Sequence, residues 1–146
     1  MNEINISYNH NFEFPLVKKN LKDYCRKVLD HNNYKSSLIS LIFIDQEELR
    51  EMKKLYFKED AYTDVIAFNF NKNEEDLEGE LYLSLQMIEN NASNYSVTLE
   101  SEIKRVVAHG LLHLIGYRDD NDRNKAKMTK MEDICIQLFH DIKILC

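Results

Sequence analysis

An apolar run that contains two histidines places the strongest constraint on how this chain can fold. His109 and His113 stand four residues apart in a run with the pattern of a helix. Residues i and i+4 share one helical face with Cβ atoms about 5–6 Å apart, so both imidazoles can reach one metal ion. Gly116 can end the helix in a left-handed conformation. The chain can then turn back and bring Asp119 to the same ion, which predicts a two-histidine, one-carboxylate metal site.

Length and composition restrict the class of protein. The 146 residues are most simply one domain, 1–146, which is long enough to bury a core. Hydrophobic residues make up 44% and charged residues 30%, an ordinary globular composition. The formal net charge of −6 excludes a polyanion-binding protein that relies on its overall charge. Any contact with nucleic acid must therefore use a local basic surface.

The cysteines and the N-terminus indicate a cytoplasmic protein. Cys25, Cys135 and Cys146 are odd in number and scattered, so they predict neither a disulfide framework nor a thiolate zinc site. Unpaired cysteines fit a reducing cytosol. The N-terminus lacks the basic and apolar regions of a signal peptide. The longest clean apolar run, 38–44, is too short to span a membrane, so we expect no membrane partner.

Hydrophobic patterning predicts the element order β-α-β-α-β-β-α-α-α. The predicted strands are 3–14, 38–44, 65–70 and 79–85, with a charged loop at 71–78. The last two strands could pair as a hairpin, and the apolar run 38–44 is typical of a strand covered on both faces. Strands come early and helices late. This order favours an α+β domain with a small mixed four-stranded sheet packed with about five helices, and a metal site on a helix of the C-terminal half.

Apolar stripes and capping residues mark the five predicted helices. The stripes of the first, second and last helices are Leu21, Cys25, Val28 and Leu29; Leu49, Met52, Leu55 and Tyr56; and Met128, Met131, Cys135 and Leu138. The predicted N-caps of the second to fifth helices are Asp45; Ser84; Thr98 or a near neighbour; and Asn121 or Asp122. The third helix is expected to run to about residue 95.

Spacing alone leaves several alternatives open at the histidines. Histidines at this spacing are also common as hydrogen-bonded core residues. Asp120 is a rival to Asp119, and both could simply cap the last helix. The HExxH motif of zinc proteases is absent, because Gly110 stands where that motif needs its glutamate base. A glycine costs about 1 kcal/mol relative to alanine inside a helix, which suggests close helix packing or ligand approach at this position.

Several blocks of the chain resemble the YbeY family of bacterial endoribonucleases. The family signature H-G-x-L-H-L-x-G-Y-D-H is matched at His109, Gly110, Leu112, His113, Leu114, Gly116 and Tyr117. Residues 55–68 resemble the family block Y-R-x-K-D-x-P-T-D-V-L-S-F, and Gly79-Glu80 followed by Ser84 is similar to its G-D-I-x-I-S strand. Met128 falls where the family has a methionine after its third ligand. The resemblance covers about residues 40–135 in order.

The resemblance implies a function and its partners. It implies a single-strand-specific, metal-dependent endoribonuclease that hydrolyses RNA phosphodiester bonds in ribosomal RNA maturation and ribosome biogenesis. RNA would be the main partner, with ribosomal proteins or a ribosome-associated GTPase as further ones. Where the family has three histidines on zinc, the implied ligands of one Zn²⁺ ion are His109, His113 and Asp119. Other divalent transition metals also suit this donor set.

Two departures from the family concern the reaction. Phe57 stands where the family usually carries an arginine, which could hold a phosphate bidentately. Lys54 and Lys58 are the nearby cations that could substitute for it. Tyr62 replaces the family's proline. A non-catalytic ribosome-associated factor with a structural zinc, or a metallohydrolase of another substrate, therefore remain alternatives, although Gly110 argues against a peptidase.

The remaining candidates are less specific, and no residue is identified as a general base. Asp64, after Thr63, could line the cleft or orient a metal ligand, or it could serve turn chemistry at a strand start. Glu102, two turns before His109 on the same face, could accept an imidazole hydrogen bond or be an exposed helix acid. The basic residues that could contact phosphates, or form solvated helix faces, are Lys104, Arg105, Arg123, Lys127 and Lys130.

Overall fold

The computed structural model describes residues 1–9, 15–71 and 76–146, and within them it has four strands and five helices in the predicted order. The strands are β1 (Asn2–Tyr8), β2 (Ser37–Phe43), β3 (Val65–Asn69) and β4 (Leu77–Leu83). The helices are α1 (Lys18–His31), α2 (Gln46–Phe57), α3 (Leu85–Asn94), α4 (Leu99–Ile115) and α5 (Asp122–Leu138). The α+β class is confirmed. The predicted extension of the first strand over 10–14 and the middle of the predicted loop, 72–75, lie outside the described residues.

The four strands form one mixed sheet in the order β1-β2-β4-β3. β2 pairs in parallel with both β1 and β4, and α1 makes the crossover between β1 and β2. β3 pairs antiparallel with β4, with Val65 opposite Leu83, so the expected hairpin is confirmed. The sheet is therefore parallel through three strands and ends in an antiparallel edge strand.

One face of the sheet carries the main core. The inward side chains of β2, Ile39, Leu41 and Phe43, are completely buried there. The predicted stripe of α1 is buried against them, as Leu21, Cys25, Val28 and Leu29 each have no exposed surface. α4 is the central helix, because it packs against α1, α3, α5, β3 and β4. The helix that carries both histidines is thus anchored on several sides.

The opposite face of the sheet is only partly covered, which corrects two expectations. β2 is not covered on both faces, because α2 shields its Ile42 while Leu38 remains 41% exposed. Within α2, Leu49 is buried, but Leu55 and Tyr56 are 65% and 60% exposed rather than inward. The apolar stripe of α2 continues past the small cluster that it covers on this face. Leu138, in the last turn of α5, is likewise 51% exposed.

Side-chain caps set the starts of α2, α3, α4 and α5. The predicted N-caps each accept a backbone N–H bond: Asp45 from Glu47 at 2.9 Å, Ser84 from Met87 at 3.3 Å, Thr98 from Ser101 at 3.1 Å, and Asn121 from Asn124 at 2.8 Å. Between the candidates for α5, Asn121 is the cap. No helix in the described ranges is long and apolar enough to cross a membrane.

Two glycines allow α4 to lie close to β4. A Cβ atom added at Gly110 of α4 would come within 2.9 Å of both δ-methyl groups of Leu81. A Cβ atom at Gly79 of β4 would lie 2.7 Å from a δ-methyl of Leu114 and 2.7 Å from the carbonyl oxygen of Phe68. Gly110 therefore serves close helix packing, one of the two roles that its helical cost suggested.

Candidate metal centre

The C-terminal half of α4 presents the two imidazoles side by side. The rings of His109 and His113 have centroids 4.5 Å apart and are nearly perpendicular, at 81°. α4 ends at Gly116, whose φ of 120° is rarely adopted by residues with a side chain. The amide of Tyr117 donates back to the carbonyl of Leu112 at 2.9 Å. The turn that follows returns the chain toward the histidines, as predicted.

The structure brings Asp119 to the same point as the two histidines. The Nε2 atoms of His109 and His113 are 3.0 Å apart, and Asp119 Oδ2 lies 3.3 Å and 3.2 Å from them. Donors at 2.0–2.2 Å from a tetrahedral ion are separated by about 3.3–3.6 Å, so small side-chain shifts adapt this triangle to one metal ion. Among the described residues, it is the one group of three or more histidine, cysteine, aspartate or glutamate side chains whose ligand atoms lie within 4.8 Å of one another.

Hydrogen bonds on the far side of each ring select the tautomer that a metal requires. Nδ1 of His109 donates to Oε2 of Glu132 at 2.7 Å, and Nδ1 of His113 donates to the carbonyl oxygen of Tyr117 at 3.1 Å. Because both partners are acceptors, each Nδ1 carries the proton in the neutral ring, which leaves the lone pair of each Nε2 for a metal. The Nε2 atoms are the ones that face Asp119, so both imidazoles are already oriented as ligands.

Glu132 is the site residue that sequence reasoning missed. Its side chain is nearly buried, and Oε1 accepts a hydrogen bond from Arg105 at 3.1 Å. It lies on α5, 23 residues after His109, so no local motif connects the two. A signal was nevertheless present. Glu132 stands four residues after Met128 and three before Cys135, which places an acid within a buried apolar stripe.

The charges around His109 favour a cation. Burial, the largest single cause, lowers the pKa of His109, and the hydrogen bond and the charge of Glu132 oppose it. The carboxylates of Asp119 and Asp64 add to this effect, and the pKa of His109 is raised above its ordinary value. The same negative surroundings that stabilise a proton on this ring also stabilise a metal ion beside it.

Asp120 does not point to the histidines. Its carboxylate accepts hydrogen bonds from Arg118 at 2.6 Å and from the Asn124 side chain at 2.7 Å. These partners hold the pKa of Asp120 below its usual range, with the Asn124 bond contributing most. Asp120 therefore braces the start of α5, while Asp119 is the carboxylate that reaches the imidazoles.

The three side chains lie in an open cleft of about 670 Å³. Phe57 lines this cleft, and its side chain is about half exposed. The lysine on the cleft wall is Lys53, whose Nζ pairs with Glu59 at 3.6 Å, and neither Lys54 nor Lys58 is part of the wall. Lys54 and Lys58, the cations that could substitute for the family's arginine, therefore do not line the cleft beside Phe57.

Of the two acids considered as supporting residues, Asp64 lies in the cleft and Glu102 lies behind it. Asp64 accepts a hydrogen bond from the Asn91 side chain at 2.9 Å, and burial raises its pKa. Glu102 is not an exposed helix acid, because it is only 3% exposed, and burial raises its pKa as well. The hydrogen bond to an imidazole that Glu102 was a candidate to accept is accepted by Glu132 instead.

Two of the five candidate phosphate-binding cations are used inside the protein. Lys104 is buried, and its Nζ donates to the carbonyl oxygens of Phe139 and His140 at 3.1 Å and 3.4 Å. Arg105 pairs with Glu132, as described above. The other three, on the first half of α5, are exposed: Arg123, Lys127 and Lys130.

The fold and the donor set define a metal-binding protein with an accessible site: two histidines on a buried helix and a carboxylate from the next turn meet in an open cleft. Comparison with known proteins identifies the family. The family model for endoribonuclease YbeY matches residues 5–140 of this chain, which therefore belongs to that family. The resemblance inferred from the sequence motifs is confirmed, and the family and the triad together support a metal cofactor.

Individual relatives match over nearly the whole chain. Endoribonuclease YbeY of Flavobacterium johnsoniae is 34% identical over 136 residues, which cover 92% of this chain and 97% of that protein. The protein of the same name from Flavobacterium psychrophilum is 33% identical, with 92% and 96% covered. The solution structure of TM1509 from Thermotoga maritima superposes with a TM-score of 0.63 at 27% identity, with 93% of this chain and 88% of that chain covered.

Proposed function

We propose that this chain is a single catalytic domain, 1–146, that hydrolyses phosphodiester bonds in single-stranded regions of ribosomal RNA during its maturation in the cytoplasm. The observation that carries the proposal is the triangle of His109 Nε2, His113 Nε2 and Asp119 Oδ2 in an open cleft of an endoribonuclease-family fold. A structural zinc site is closed by its ligands, whereas a catalytic site keeps a position accessible. The open cleft therefore favours catalysis over the alternative of a purely structural zinc.

The proposed ligands of one Zn²⁺ ion are His109, His113 and Asp119. When bound, such an ion can polarise a phosphoryl oxygen and make water more acidic. The carboxylate of Asp119 gives the centre a lower net charge than three neutral imidazoles would. Nickel, iron or manganese would also suit two nitrogens and one oxygen, so zinc is the first metal to test.

Other residues of the chain orient the metal ligands and provide a surface that binds RNA. Glu132 and the carbonyl of Tyr117 hold the ring protons on Nδ1, as the hydrogen bonds described above require. Asp64 contributes negative charge toward His109 from the cleft wall. The exposed cations of α5 provide a surface for RNA phosphates beyond the cleft. Ribosomal proteins or a ribosome-associated GTPase are the further partners implied by a role in ribosome biogenesis.

Purified metal-loaded protein should be incubated with single-stranded RNA, structured RNA and a peptide panel, and its metal content measured by elemental analysis. We expect cleavage of unpaired RNA alone, and loss of both cleavage and metal in His113→Ala and Asp119→Ala. Asp120→Ala is the matched control, because it changes the neighbouring carboxylate, and it should retain the metal. RNA cleavage that persists unchanged in His113→Ala would refute a catalytic metal, and a site emptied only by Asp120→Ala would refute the ligand set.

A further inference from the structure

An aromatic ring is exposed on the wall of the metal cleft. Phe57 is the last residue of α2 and is 51% exposed, yet it lines the same cleft as His109, His113 and Asp119. The next residue, Lys58, ends the helix in the left-handed region with φ of 58°, so the chain leaves α2 immediately after the ring. An exposed phenylalanine that borders a reactive cleft is available to bind substrate.

The ring of Phe57 is held in place by its neighbours. It stacks on Phe68 with a centroid distance of 6.1 Å and an interplanar angle of 28°. Phe68 is itself fixed edge-on by Tyr56 at 5.2 Å and Tyr82 at 5.8 Å, and it stacks with Phe70 at 6.4 Å. A ring supported in this way loses little conformational freedom when a ligand covers its exposed part.

The charges of the cleft favour a contact with RNA that is not ionic. Its lysine, Lys53, is paired with Glu59, and the other charged side chains on the wall include the carboxylates of Asp64 and Asp119. A divalent metal ion would offset these carboxylates without creating a strongly positive surface. Attraction for phosphate is therefore modest inside the cleft, and base stacking can supply affinity that does not depend on charge.

We propose that Phe57 is a positioning residue on which one unpaired nucleobase of single-stranded RNA stacks, next to the metal centre. This inference rests on the proposed function and adds a reason for its preference for single strands. A base within a duplex has both faces covered by its neighbours, whereas an unpaired base can present one face to the ring. The stack fixes where along the strand the scissile phosphate meets the metal.

The test compares Phe57→Ala, Phe57→Trp and Leu55→Ala on a single-stranded oligoribonucleotide. Base–aromatic stacking has a strength that corresponds to roughly 5- to 150-fold in affinity. We expect Phe57→Ala to raise KM by an amount in this range with a smaller effect on kcat, and Phe57→Trp to restore KM. Leu55→Ala is the matched control, since Leu55 is 65% exposed on the same helix but neither lines the cleft nor supports the ring, and it should behave as wild type.

Substrates with a single abasic residue, moved stepwise along the strand, separate stacking from a general effect on the fold. At one position, loss of the base should raise KM of the wild type, and Phe57→Ala should add no further loss. A wild-type KM in Phe57→Ala would overturn the proposal. The same fold-change in KM on every abasic substrate would overturn it too, because the ring would then act independently of any base.

A binding experiment makes the stacking visible without turnover. The chain has no tryptophan, so Phe57→Trp introduces a single indole as a fluorescent reporter. Single-stranded DNA of the same sequence, which an endoribonuclease does not cut, should change the indole emission of the metal-loaded protein, and the matching duplex should not. An emission unaffected by both would refute stacking. Failure of the proposed function would be distinct, because the wild type itself would then cut no RNA.

Discussion

Replacing Glu132 by glutamine is expected to weaken metal binding through the orientation of His109. The two carboxylate oxygens of Glu132 serve two donors, His109 Nδ1 at 2.7 Å and Arg105 at 3.1 Å. Glutamine has one carbonyl oxygen and one NH₂ group, so one of these donors must face another donor. If the NH₂ group faces His109, it donates to Nδ1 and the ring proton moves to Nε2. That atom is the one aimed at Asp119, and a protonated nitrogen cannot bind a metal.

The expected loss is a 10- to 100-fold weaker metal affinity, which corresponds to about 1.4–2.8 kcal/mol. The side chain of Glu132 is only 8% exposed, so water cannot readily replace the lost acceptor. Affinity can be measured by competition with a chromophoric chelator at fixed pH. Asp133→Asn is the matched control, because Asp133 binds the other terminal nitrogen of Arg105 at 2.7 Å, is 58% exposed, and has no hydrogen bond to His109 among the described contacts.

Two results would refute this reasoning. The first is a Glu132→Gln protein that binds metal as tightly as the wild type while His109→Ala loses it. The second is an equal loss of affinity in Asp133→Asn, which would show that the effect comes from Arg105 and not from the imidazole. Thermal unfolding of both metal-free variants checks that each is folded before the titration.

Two further predictions concern stability. Gly79→Ala should destabilise the protein by roughly 1–3 kcal/mol, as added atoms do in a packed core, and more than Gly110→Ala. The reason is that a new Cβ at position 79 meets a backbone carbonyl at 2.7 Å, whereas a new Cβ at position 110 meets side-chain methyls. At position 110, alanine also stabilises the helix by about 1 kcal/mol relative to glycine. Denaturant unfolding measures both variants, and the reverse order would contradict the close-packing interpretation. Glu102→Gln should raise the melting temperature at pH 7 but not at pH 4. Burial, with Asp64 and Glu132 nearby, raises the pKa of Glu102 despite the opposing charge of Arg105. The stability that this group contributes is present below its unfolded pKa and is lost as pH rises through the folded one. A lower melting temperature of the variant at pH 7 would show that the hydrogen bonds of the carboxylate outweigh its burial.

Local patterns predicted the elements and the convergence of His109, His113 and Asp119 because their determinants are close in sequence. The three candidate ligands fall within 11 residues, and helical spacing plus one glycine turn suffices to bring them together. The N-caps are similarly local. In each case the partner that decides the geometry is only a few residues away.

Features that depend on distant partners were not predictable in this way. Glu132 reaches His109 from another helix. The Nζ of the buried Lys104 donates to carbonyl oxygens 35 and 36 residues further along the chain. Periodicity also shows which face of α2 is apolar, but it does not show how far the sheet beneath it extends. Leu55 and Tyr56 continue the stripe and are nevertheless exposed.

Two of the three candidate ligands lie on a core helix and the third lies in an exposed turn, and this difference has a consequence for the kinetics of metal exchange. His109 and His113 belong to the most enclosed helix of the fold, so moving them requires much of the core to open. Asp119 lies in the turn between α4 and α5, and its side chain is 44% exposed. If these three side chains hold an ion, we therefore expect the carboxylate to be the ligand that detaches first. The helix would determine how tightly the ion is held, and the turn would determine how quickly it is released.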